Sequence, residues 1–325
     1  MIYIFAVLIL LFAGAIGYRF SSMVLLIPTN KDDHIYKSEE KSGTLLRKNV
    51  EQLVKEELTL PSSHNYNMRG WFFPADRDEG KAVILVHGVT SSLIGCLKYM
   101  DMFRRRGFHV LTYDHRRHGQ SGGPFTTYGY YEKQDLKVWV DWLFNKCGPA
   151  CKIGILGESM GASTALQYAA TDPRIAFYIA DCPYSDLKAE LTHRLKEDFH
   201  LPPFPLLYLA ELFVWLRSGI KFRNVSPIRD IAHVETPILF VHGEEDCFTP
   251  KEMTVQLYNA KPGFKRIHIM EKADHAESLA TDAALYDRVV GSFLSEIGLS
   301  DDPVLPADAN EQPLRSKKPI SESYA

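Results

Sequence analysis

Residues 153–170 read IGILGESMGASTALQYAA, and this stretch decides the fold. Its first four residues have the apolar character of a buried strand, and residues 162–170 have the composition of a helix. Between them, Gly157-Glu158-Ser159-Met160-Gly161 places a serine on the turn from strand to helix. The glycines allow the backbone to pack closely where a side chain would clash. The stretch predicts a strand, a tight turn that presents the Ser159 hydroxyl, and a helix; an ordinary small-residue turn is the alternative.

Outward from this turn, apolar runs alternate with helical patterns. Strands are predicted at residues 82–86, 110–113, 153–156, 177–179, 238–241 and 267–270, and helices near 97–106, 131–145, 162–170, 251–259 and 285–296. Continuous apolar strands are typical of a parallel sheet that is covered on both faces. The alternation predicts an α/β fold with a doubly wound, mostly parallel sheet. The polar residues before it, 29–68, are predicted to contribute edge strands.

One stretch breaks the alternation, because about fifty residues precede the strand at 238–241, which is long for a simple connection. We predict a small helical cap insertion at about residues 184–235, lying over the strand ends. Its apolar residues Phe204, Leu207 and Phe213 are predicted to line a substrate pocket above Ser159. Packing of the insertion onto the core explains the same residues, and this alternative stays open. The domain is expected to span residues 28–299, and residues 300–325 are expected to form a disordered tail.

A serine hydroxyl is a weak nucleophile, so it needs a base, and the base needs an acid that orients it. Asp246 follows the strand at 238–241 and His275 follows the strand at 267–270. The carboxyl ends of parallel strands meet at one edge of a sheet, where functional groups gather. We therefore predict Ser159, Asp246 and His275 as catalytic residues. Glu244 and Glu245 compete with Asp246 for the role of the acid.

Cleavage of an acyl bond also needs two backbone N–H groups that stabilise the oxyanion. Met160 follows the nucleophile directly and supplies the first. The second is expected from the loop after the strand at 82–86, where Val89 is the natural donor. His87, in the same loop, is interpreted as shaping the turn rather than as a catalytic group.

Composition narrows the classes of partner. Lys and Arg number 37 against 40 Asp and Glu, a formal net charge of −3, so no overall basic surface indicates nucleic-acid binding. Five cysteines do not suggest a disulfide framework. No histidine stands at zinc-like spacing near Cys147 and Cys151, so we predict no metal site there.

Residues 1–18, MIYIFAVLILLFAGAIGY, are almost wholly apolar and end at Arg19. Their length is near the lower limit of about 17 residues for crossing a bilayer. We predict a membrane anchor within residues 1–27; a signal cleaved after Ala13-Gly14-Ala15 and a buried core helix are the alternatives. Positive charges follow the apolar run and none precedes it, which favours a catalytic domain facing the cytoplasm. The charges that follow are Arg19, Lys31, Lys37, Lys41, Arg47 and Lys48.

Four motifs occur in a characteristic order: HGVTS at 87–91, DHRRHGQSGG at 114–123, GESMG at 157–161, and the acid and histidine after the last strands. On these motifs, residues 69–294 resemble the α/β-hydrolase superfamily. The segments DCPYSDL (181–187) and DHAES (274–278) resemble more closely the bacterial membrane-anchored hydrolases of the YqkD-like group. The chain is also loosely similar to eukaryotic serine hydrolases of this superfamily that carry an N-terminal membrane segment.

The resemblance implies an α/β-hydrolase fold, the chain order nucleophile, acid and histidine, and an esterase-like activity without a cofactor. We expect a serine hydrolase that cleaves a small carboxylic ester through an acyl-enzyme. Thioesterase, amidase or peptidase activity would use the same residues. A non-catalytic binding or scaffold protein on the same fold is the alternative from another class.

Overall fold

The computed structural model describes residues 1–306. Its strands are β1 Glu56–Pro61, β2 Asn67–Phe73, β3 Lys81–Val86, β4 Phe108–Tyr113, β5 Lys152–Glu158, β6 Phe177–Asp181, β7 Ile238–Gly243 and β8 Lys265–Met270. Its α-helices are α1 Ile2–Leu25, α2 Asp32–Ser42, α3 Arg47–Glu51, α4 Met100–Arg104, α5 Glu132–Cys147, α6 Met160–Ala169, α7 Leu187–Phe199, α8 Leu206–Ser218, α9 Pro227–Asp230, α10 Lys251–Ala260, α11 Ser278–Thr281 and α12 Ala283–Glu296. Short 3-10 helices lie at Gly95–Tyr99, Phe222–Asn224 and Ile231–His233.

The eight strands form one sheet in the order β1-β2-β4-β3-β5-β6-β7-β8. From β4 to β8 all neighbours are parallel, and β1 and β2 add an antiparallel edge. The predicted α/β class and its mostly parallel sheet are confirmed. Strand β3 shows why its sequence is continuously apolar: Val83 and Leu85 belong to the core on one face of the sheet, and Ile84 and Val86 to the core on the other.

The segment before the sheet differs in part from expectation. It contains the predicted edge strands β1 and β2, but also the helices α2 and α3, which were not predicted. These helices are short and mostly polar, so their apolar periodicity is weak. They are held by a few buried side chains, Ile35 and Tyr36 of α2 and Val50 of α3, which pack into the core. Tertiary packing stabilises helices that are too short to be stable alone.

The connection between β6 and β7 is helical, and we call residues 187–233 the cap segment. Helix α7 begins after Asp186, whose carboxylate accepts hydrogen bonds from the backbone N–H groups of Lys188 and Ala189 at 3.0 and 3.3 Å. Helix α8 lies against α1. At their crossing Gly17 has no side chain, and an added Cβ would lie 2.5 Å from the Phe213 ring. The N-terminal apolar helix and the cap segment therefore form one packed unit.

The beginning of the predicted disordered tail packs on the domain. Arg106 donates hydrogen bonds to Asp302, at 2.7 Å from Nε, and Leu305 packs against the core. The polar composition of this stretch does not reveal its partner Arg106, which lies on the α4–β4 connection. Residues 307–325, the rest of the predicted tail, lie outside the described residues.

Candidate active site

Ser159 stands on a strained turn between β5 and α6. Its backbone adopts φ 52° and ψ −115°, a region that non-glycine residues rarely occupy. The turn needs a glycine at position 161, because an added Cβ there would lie 2.1 Å from the carbonyl oxygen of Val86. The Ser159 N–H donates to the carbonyl of Asp181 at 2.8 Å, which fixes the turn against β6. The side chain is thereby held at the carboxyl edge of the sheet.

The structure brings the three predicted catalytic residues into one hydrogen-bonded chain. His275 Nε2 lies 2.9 Å from Ser159 Oγ, and His275 Nδ1 lies 2.7 Å from Asp246 Oδ2. Asp246 follows β7 and His275 follows β8, so the sheet edge is what gathers them. With Asp246 ionised, Nδ1–H donates to the carboxylate, and Nε2 is left to accept the serine proton.

Asp246, rather than Glu244 or Glu245, contacts His275. The two glutamates are exposed, whereas the Asp246 side chain is fully buried. Its Oδ1 accepts hydrogen bonds from the backbone N–H groups of Phe248 and Thr249, at 2.9 and 2.8 Å. These donors orient the carboxylate so that Oδ2 points to the imidazole.

The electrostatics of the pair favour a charged acid and a basic imidazole. Burial raises the pKa of Asp246, but hydrogen bonds from His242 and His275 outweigh it, so this pKa lies well below its ordinary value. Burial lowers the pKa of His275, but Asp246 raises it more, and the net pKa lies above the ordinary 6.5. The carboxylate is therefore placed to stabilise a protonated imidazole on His275.

Val89 and Met160 both line the cavity at Ser159, with Met160 at the first position of α6. Among the described residues, neither backbone N–H has a hydrogen-bond partner. A free N–H at a helix start also carries the positive end of the helix dipole. His87 Nε2 instead accepts from the backbone N–H of His115 at 2.9 Å, which agrees with a role in shaping the loop.

Glu158, the residue before the nucleophile, belongs to a buried charge cluster that was not predicted. Its carboxylate lies 2.6 Å from Lys98 Nζ and accepts a hydrogen bond from the Tyr99 hydroxyl at 2.7 Å. Burial lowers the pKa of Lys98, but Glu158 and Glu39 raise it well above its ordinary value, so the ammonium stays charged. It offsets the negative charge of Glu158 next to the site. Lys98 and Glu158 are far apart in the sequence, so no local pattern reveals this pair.

Glu190 of α7 is a second unpredicted group, in the wall of the same cavity. Its Oε1 accepts from the Thr249 hydroxyl at 3.3 Å, and its Oε2 has no hydrogen-bond partner within residues 1–306. Burial raises the pKa of Glu190 to about 8, while the charges of His275 and Arg194 oppose the increase. Burial therefore favours the neutral form of this carboxyl group, which carries no negative charge beside Asp246.

An apolar cavity of about 650 Å³ opens onto Ser159. Of the three residues predicted to line a substrate pocket, Leu207 lies in its wall. Phe204 does not, because it is 71% exposed and its ring packs on that of Tyr208. Phe213 does not, because it fills the crossing with α1 at Gly17. The cavity wall thus contains one of the three predicted residues, while Phe204 packs on Tyr208 and Phe213 packs on α1.

Side chains with metal-ligand chemistry also meet here. Within residues 1–306, Cys182, Asp246 and His275 form the group of three such side chains whose possible ligand atoms lie within 4.8 Å of one another. Asp246 and His275 are hydrogen-bonded to each other, and burial raises the pKa of Cys182 well above its ordinary value. A protonated thiol is a poor metal ligand. The chemistry of this set fits proton transfer better than metal binding.

The sheet order and the strained serine turn define a serine hydrolase-type α/β-hydrolase. Comparisons with known proteins agree: residues 78–226 match the family Hydrolase_4, described as serine aminopeptidase, S33. The chain is 42% identical to the uncharacterized protein YqkD of Bacillus subtilis (strain 168), over 87% of this chain and 93% of that protein. It belongs to the α/β-hydrolase superfamily and, within it, to the YqkD-like hydrolases, so the predicted family is confirmed.

More distant relatives extend the comparison. The lysophosphatidylserine lipase ABHD12 of Rattus norvegicus is 25% identical over 62% of this chain, which spans about half (51%) of that relative. Among solved structures, the Pyrococcus furiosus esterase Pf2001 superposes with a TM-score of 0.63 at 23% identity, over 78% of this chain and 96% of that one. The Pyrococcus horikoshii acylaminoacyl peptidase superposes with a TM-score of 0.63 at 15% identity, over 79% of this chain and 44% of that one. The two solved structures show the shared fold.

Proposed function

We propose that this hydrolase cleaves carboxylic esters through an acyl-enzyme on Ser159. The observation that carries the proposal is the hydrogen-bonded chain from Ser159 Oγ through His275 to Asp246, with distances of 2.9 and 2.7 Å. A binding protein has no need of a strained serine, a base and a buried acid in one line. Relatives whose names include esterase and lipase support an ester as the substrate.

The first half of the reaction forms the acyl-enzyme. Ser159 Oγ attacks the ester carbonyl carbon while its proton passes to His275 Nε2. The carbonyl oxygen becomes an oxyanion and accepts hydrogen bonds from the N–H groups of Val89 and Met160. His275 then gives its proton to the departing alcohol oxygen as the carbon–oxygen bond breaks. Asp246 stabilises the imidazolium throughout.

The second half releases the acid. Water attacks the acyl carbon, His275 Nε2 takes the proton of the water, and the oxyanion again forms between Val89 and Met160. Collapse of this intermediate returns the proton to Ser159 Oγ and frees the carboxylic acid. Every step uses side chains and backbone groups of this chain. A thioester or an amide would follow the same course with a thiol or an amine as the leaving group.

We propose further that α1 anchors the enzyme in a membrane with the catalytic domain on the cytoplasmic side. Among the described residues, α1 is the one helix long and apolar enough to cross a bilayer, and little of it is buried in the protein. The excess of Lys and Arg after the helix supports this side. A signal sequence can have the same length and composition, so cleavage of this helix from the protein is the alternative to anchoring.

Labelling by a fluorophosphonate probe, which reacts with activated serines, tests the proposed reaction. Wild-type protein should be labelled and should hydrolyse p-nitrophenyl esters. Ser159→Ala should lose the label and roughly 10⁴-fold or more in turnover. Ser163→Ala is the matched control, because Ser163 is a buried serine of α6, four residues after Ser159, and it bonds the Tyr184 backbone instead of His275. Labelling that survives Ser159→Ala would sink the proposal.

The same experiment separates the possible bonds. An ester, a thioester and an anilide with one shared acyl group should be compared on wild-type protein. We expect the ester to give the highest kcat/KM, and a preference for the anilide would favour the amidase or peptidase alternative. Wild-type protein that neither reacts with the probe nor cleaves any of the three would favour the non-catalytic alternative.

A further inference from the structure

The cavity at Ser159 has a wall that comes from the N-terminal apolar helix. Residues of the last turns of α1 and the segment after it line the cavity; they include Phe20, Met23, Val24, Leu26 and Ile27. Across from them stand Leu191, Leu195 and Leu207 of the cap segment. The volume of about 650 Å³ is within the range of about 300–1,000 Å³ found for ligand pockets. A simple tether would have no reason to form one side of a catalytic cavity.

The end of α1 is fixed on the catalytic domain by hydrogen bonds. The carbonyl of Val24 accepts from the Tyr128 hydroxyl at 3.1 Å, and that of Leu25 from the backbone N–H of Thr126 at 3.0 Å. The carbonyl of Ile27, just beyond the helix, accepts from Arg117 at 2.6 Å. Tertiary partners thus satisfy carbonyls that a helix end leaves free. These hydrogen bonds fix the wall against the segment from Arg117 to Tyr128.

Within residues 1–306, little of the N-terminal half of α1 is covered by protein. Its residues are apolar and more than half exposed; they include Ile4, Val7, Leu10, Leu11 and Phe12. Seventeen residues, 2–18, span about 25 Å at 1.5 Å per residue, close to the hydrocarbon thickness of about 30 Å. Arg19 is then the first charged residue and marks the boundary of the hydrocarbon. The cavity begins at this depth, because Arg19 and Phe20 are themselves part of its wall.

The rim between α1 and the cap segment is apolar and partly exposed. The Phe20 and Phe199 rings meet edge-on at 6.1 Å, and Leu26 and Phe199 are 38% and 44% exposed. Helix α8, which lies against α1, also exposes large apolar side chains: Tyr208, Leu212, Trp215 and Leu216. Exposed apolar side chains beside a helix long enough to span a membrane are buried favourably in lipid. The rim therefore faces the bilayer surface.

A second cavity, of about 410 Å³, reaches Ser159 from another direction. Its walls carry polar side chains, including Asn30, His34, Ser38 and Glu39 from the segment around α2. Ser159 thus stands where an apolar cavity meets a second cavity of mixed polar and apolar lining. An ester with an apolar acyl chain and a polar alcohol matches this pair of cavities.

We propose that α1 determines substrate specificity as well as anchoring the enzyme. Met23, Val24 and Ile27 form a wall of the acyl pocket. This pocket takes up a long-chain ester of a polar alcohol directly from the bilayer that holds the helix. This rests on the proposed esterase function of Ser159. The acyl chain passes the rim at Phe20 and Phe199 and lies between α1 and the cap segment. The alcohol occupies the second cavity, where Asn30, His34, Ser38 and Glu39 offer polar side chains, and leaves into water.

Full-length protein in phosphatidylcholine vesicles tests the wall. The ratio of hexadecanoyl to butanoyl p-nitrophenyl ester hydrolysis should fall about tenfold or more in Met23→Trp, because the indole fills the pocket. In Met23→Ala the ratio should rise. Leu10→Trp is the matched control, since Leu10 lies on the same helix, is 71% exposed and should leave the ratio unchanged.

Fluorophosphonate labelling accompanies each measurement. Labelled variants with an unchanged ratio in both Met23→Trp and Met23→Ala would overturn the proposed wall and leave the esterase function standing. Absence of label and of all ester hydrolysis in wild-type protein would instead overturn the proposed function.

A second arm tests entry from the bilayer. A long-chain ester that does not exchange between vesicles is placed either in the vesicles that hold the enzyme or in separate vesicles. We expect hydrolysis in the shared vesicles and at least tenfold less in the separate ones. Equal rates would show that the substrate arrives through water and would overturn this route.

Discussion

At the scale of single residues, the site depends on one strained backbone and one buried acid. The φ of 52° at Ser159 costs roughly 1–3 kcal/mol, as for other residues in rare conformations. Close packing of Gly161 on Val86 and the hydrogen bond to Asp181 keep the strained form, which aims Oγ at His275. Because the serine is already positioned, proton transfer to the imidazole needs no reorganisation of the turn.

The pH dependence of ester hydrolysis should report the pair of His275 and Asp246. Only neutral imidazole accepts the serine proton, so kcat/KM should rise with pH and reach half its maximum above 6.5, since the pKa of His275 is raised. Asp246→Asn removes the charge that stabilises the imidazolium. It should lower the midpoint and reduce kcat roughly 10⁴-fold. The measurement is a pH profile of kcat/KM on a soluble ester.

Glu245→Gln is the matched control for that profile. Glu245 is the neighbouring acid at the end of the same strand, but it is exposed and does not contact His275. Its variant should keep both the midpoint and the rate of the wild type. A midpoint that shifts as much in Glu245→Gln as in Asp246→Asn would contradict the choice of acid.

At the scale of elements, the contact between α1 and α8 holds the cavity together. The helices approach most closely at Gly17, where an added Cβ would lie 2.5 Å from Phe213 and 3.1 Å from the carbonyl oxygen of Leu209. Arg217 of α8 strengthens the contact with hydrogen bonds to the Ser21 and Ser22 hydroxyls at 2.7 and 2.8 Å. Small residues at such crossings let two helices pack closely in a membrane environment.

Two glycine variants distinguish this close packing from helix propensity. Alanine favours a helix over glycine by roughly 1 kcal/mol at either position. At Gly14 the added Cβ would lie 3.8 Å from Phe213, an ordinary contact, so Gly14→Ala should hold or raise the Tm. Gly17→Ala should lower the Tm by forcing the helices apart, at a cost of about 1–3 kcal/mol. Thermal unfolding in detergent measures both.

The Gly17 variant has a second expected effect. Moving α1 away from the cap segment widens the cavity, so its hexadecanoyl to butanoyl ratio should change while fluorophosphonate labelling persists. If both alanine variants raise the Tm equally, the two helices do not depend on close approach at Gly17.

At the scale of the whole molecule, α1, the cap segment and the sheet pack together, so the proposed anchor lies beside the candidate active site. The C-terminal end of α1 is bonded to the loop at 117–128, and Asn30 donates to the carbonyl of Thr90 at 2.8 Å, beside the proposed oxyanion residue Val89. The path from anchor to active site is therefore short and structured. The proposed anchor α1 is thus packed on the domain that carries Ser159 rather than joined to it by a free linker.

Protease accessibility tests the proposed placement. A protease added to intact cells should leave the catalytic domain uncut, and permeabilised cells should lose it. The protein should stay in the membrane fraction after an alkaline wash, because α1 is held by burial of its apolar side chains. Digestion from outside would reverse the orientation. Mature protein that begins near Ile16 would show a cleaved signal, although the cavity wall at residues 20–27 would still remain.

Local chemistry by itself determined much of this protein. Strand and helix periodicity predicted the six strands from β3 to β8 and the α/β class, because burial on both faces imposes continuous apolar strands. The pattern around Ser159 predicted the turn, since glycine spacing and small residues act within a few positions. The chain order of Ser159, Asp246 and His275 placed all three at one sheet edge; their catalytic roles stay predictions.

Tertiary structure alone decided which surfaces meet. It settled the competition among the three acids at the end of β7, because Asp246 is buried against His275 while Glu244 and Glu245 are exposed. It brought Lys98 to Glu158, placed Phe213 against Gly17 instead of in the cavity, and made the apolar N-terminal helix a wall of that cavity. Each of these contacts joins segments far apart in the chain. Local propensity carries no information about such contacts, because their free energy arises only when distant surfaces exclude water together.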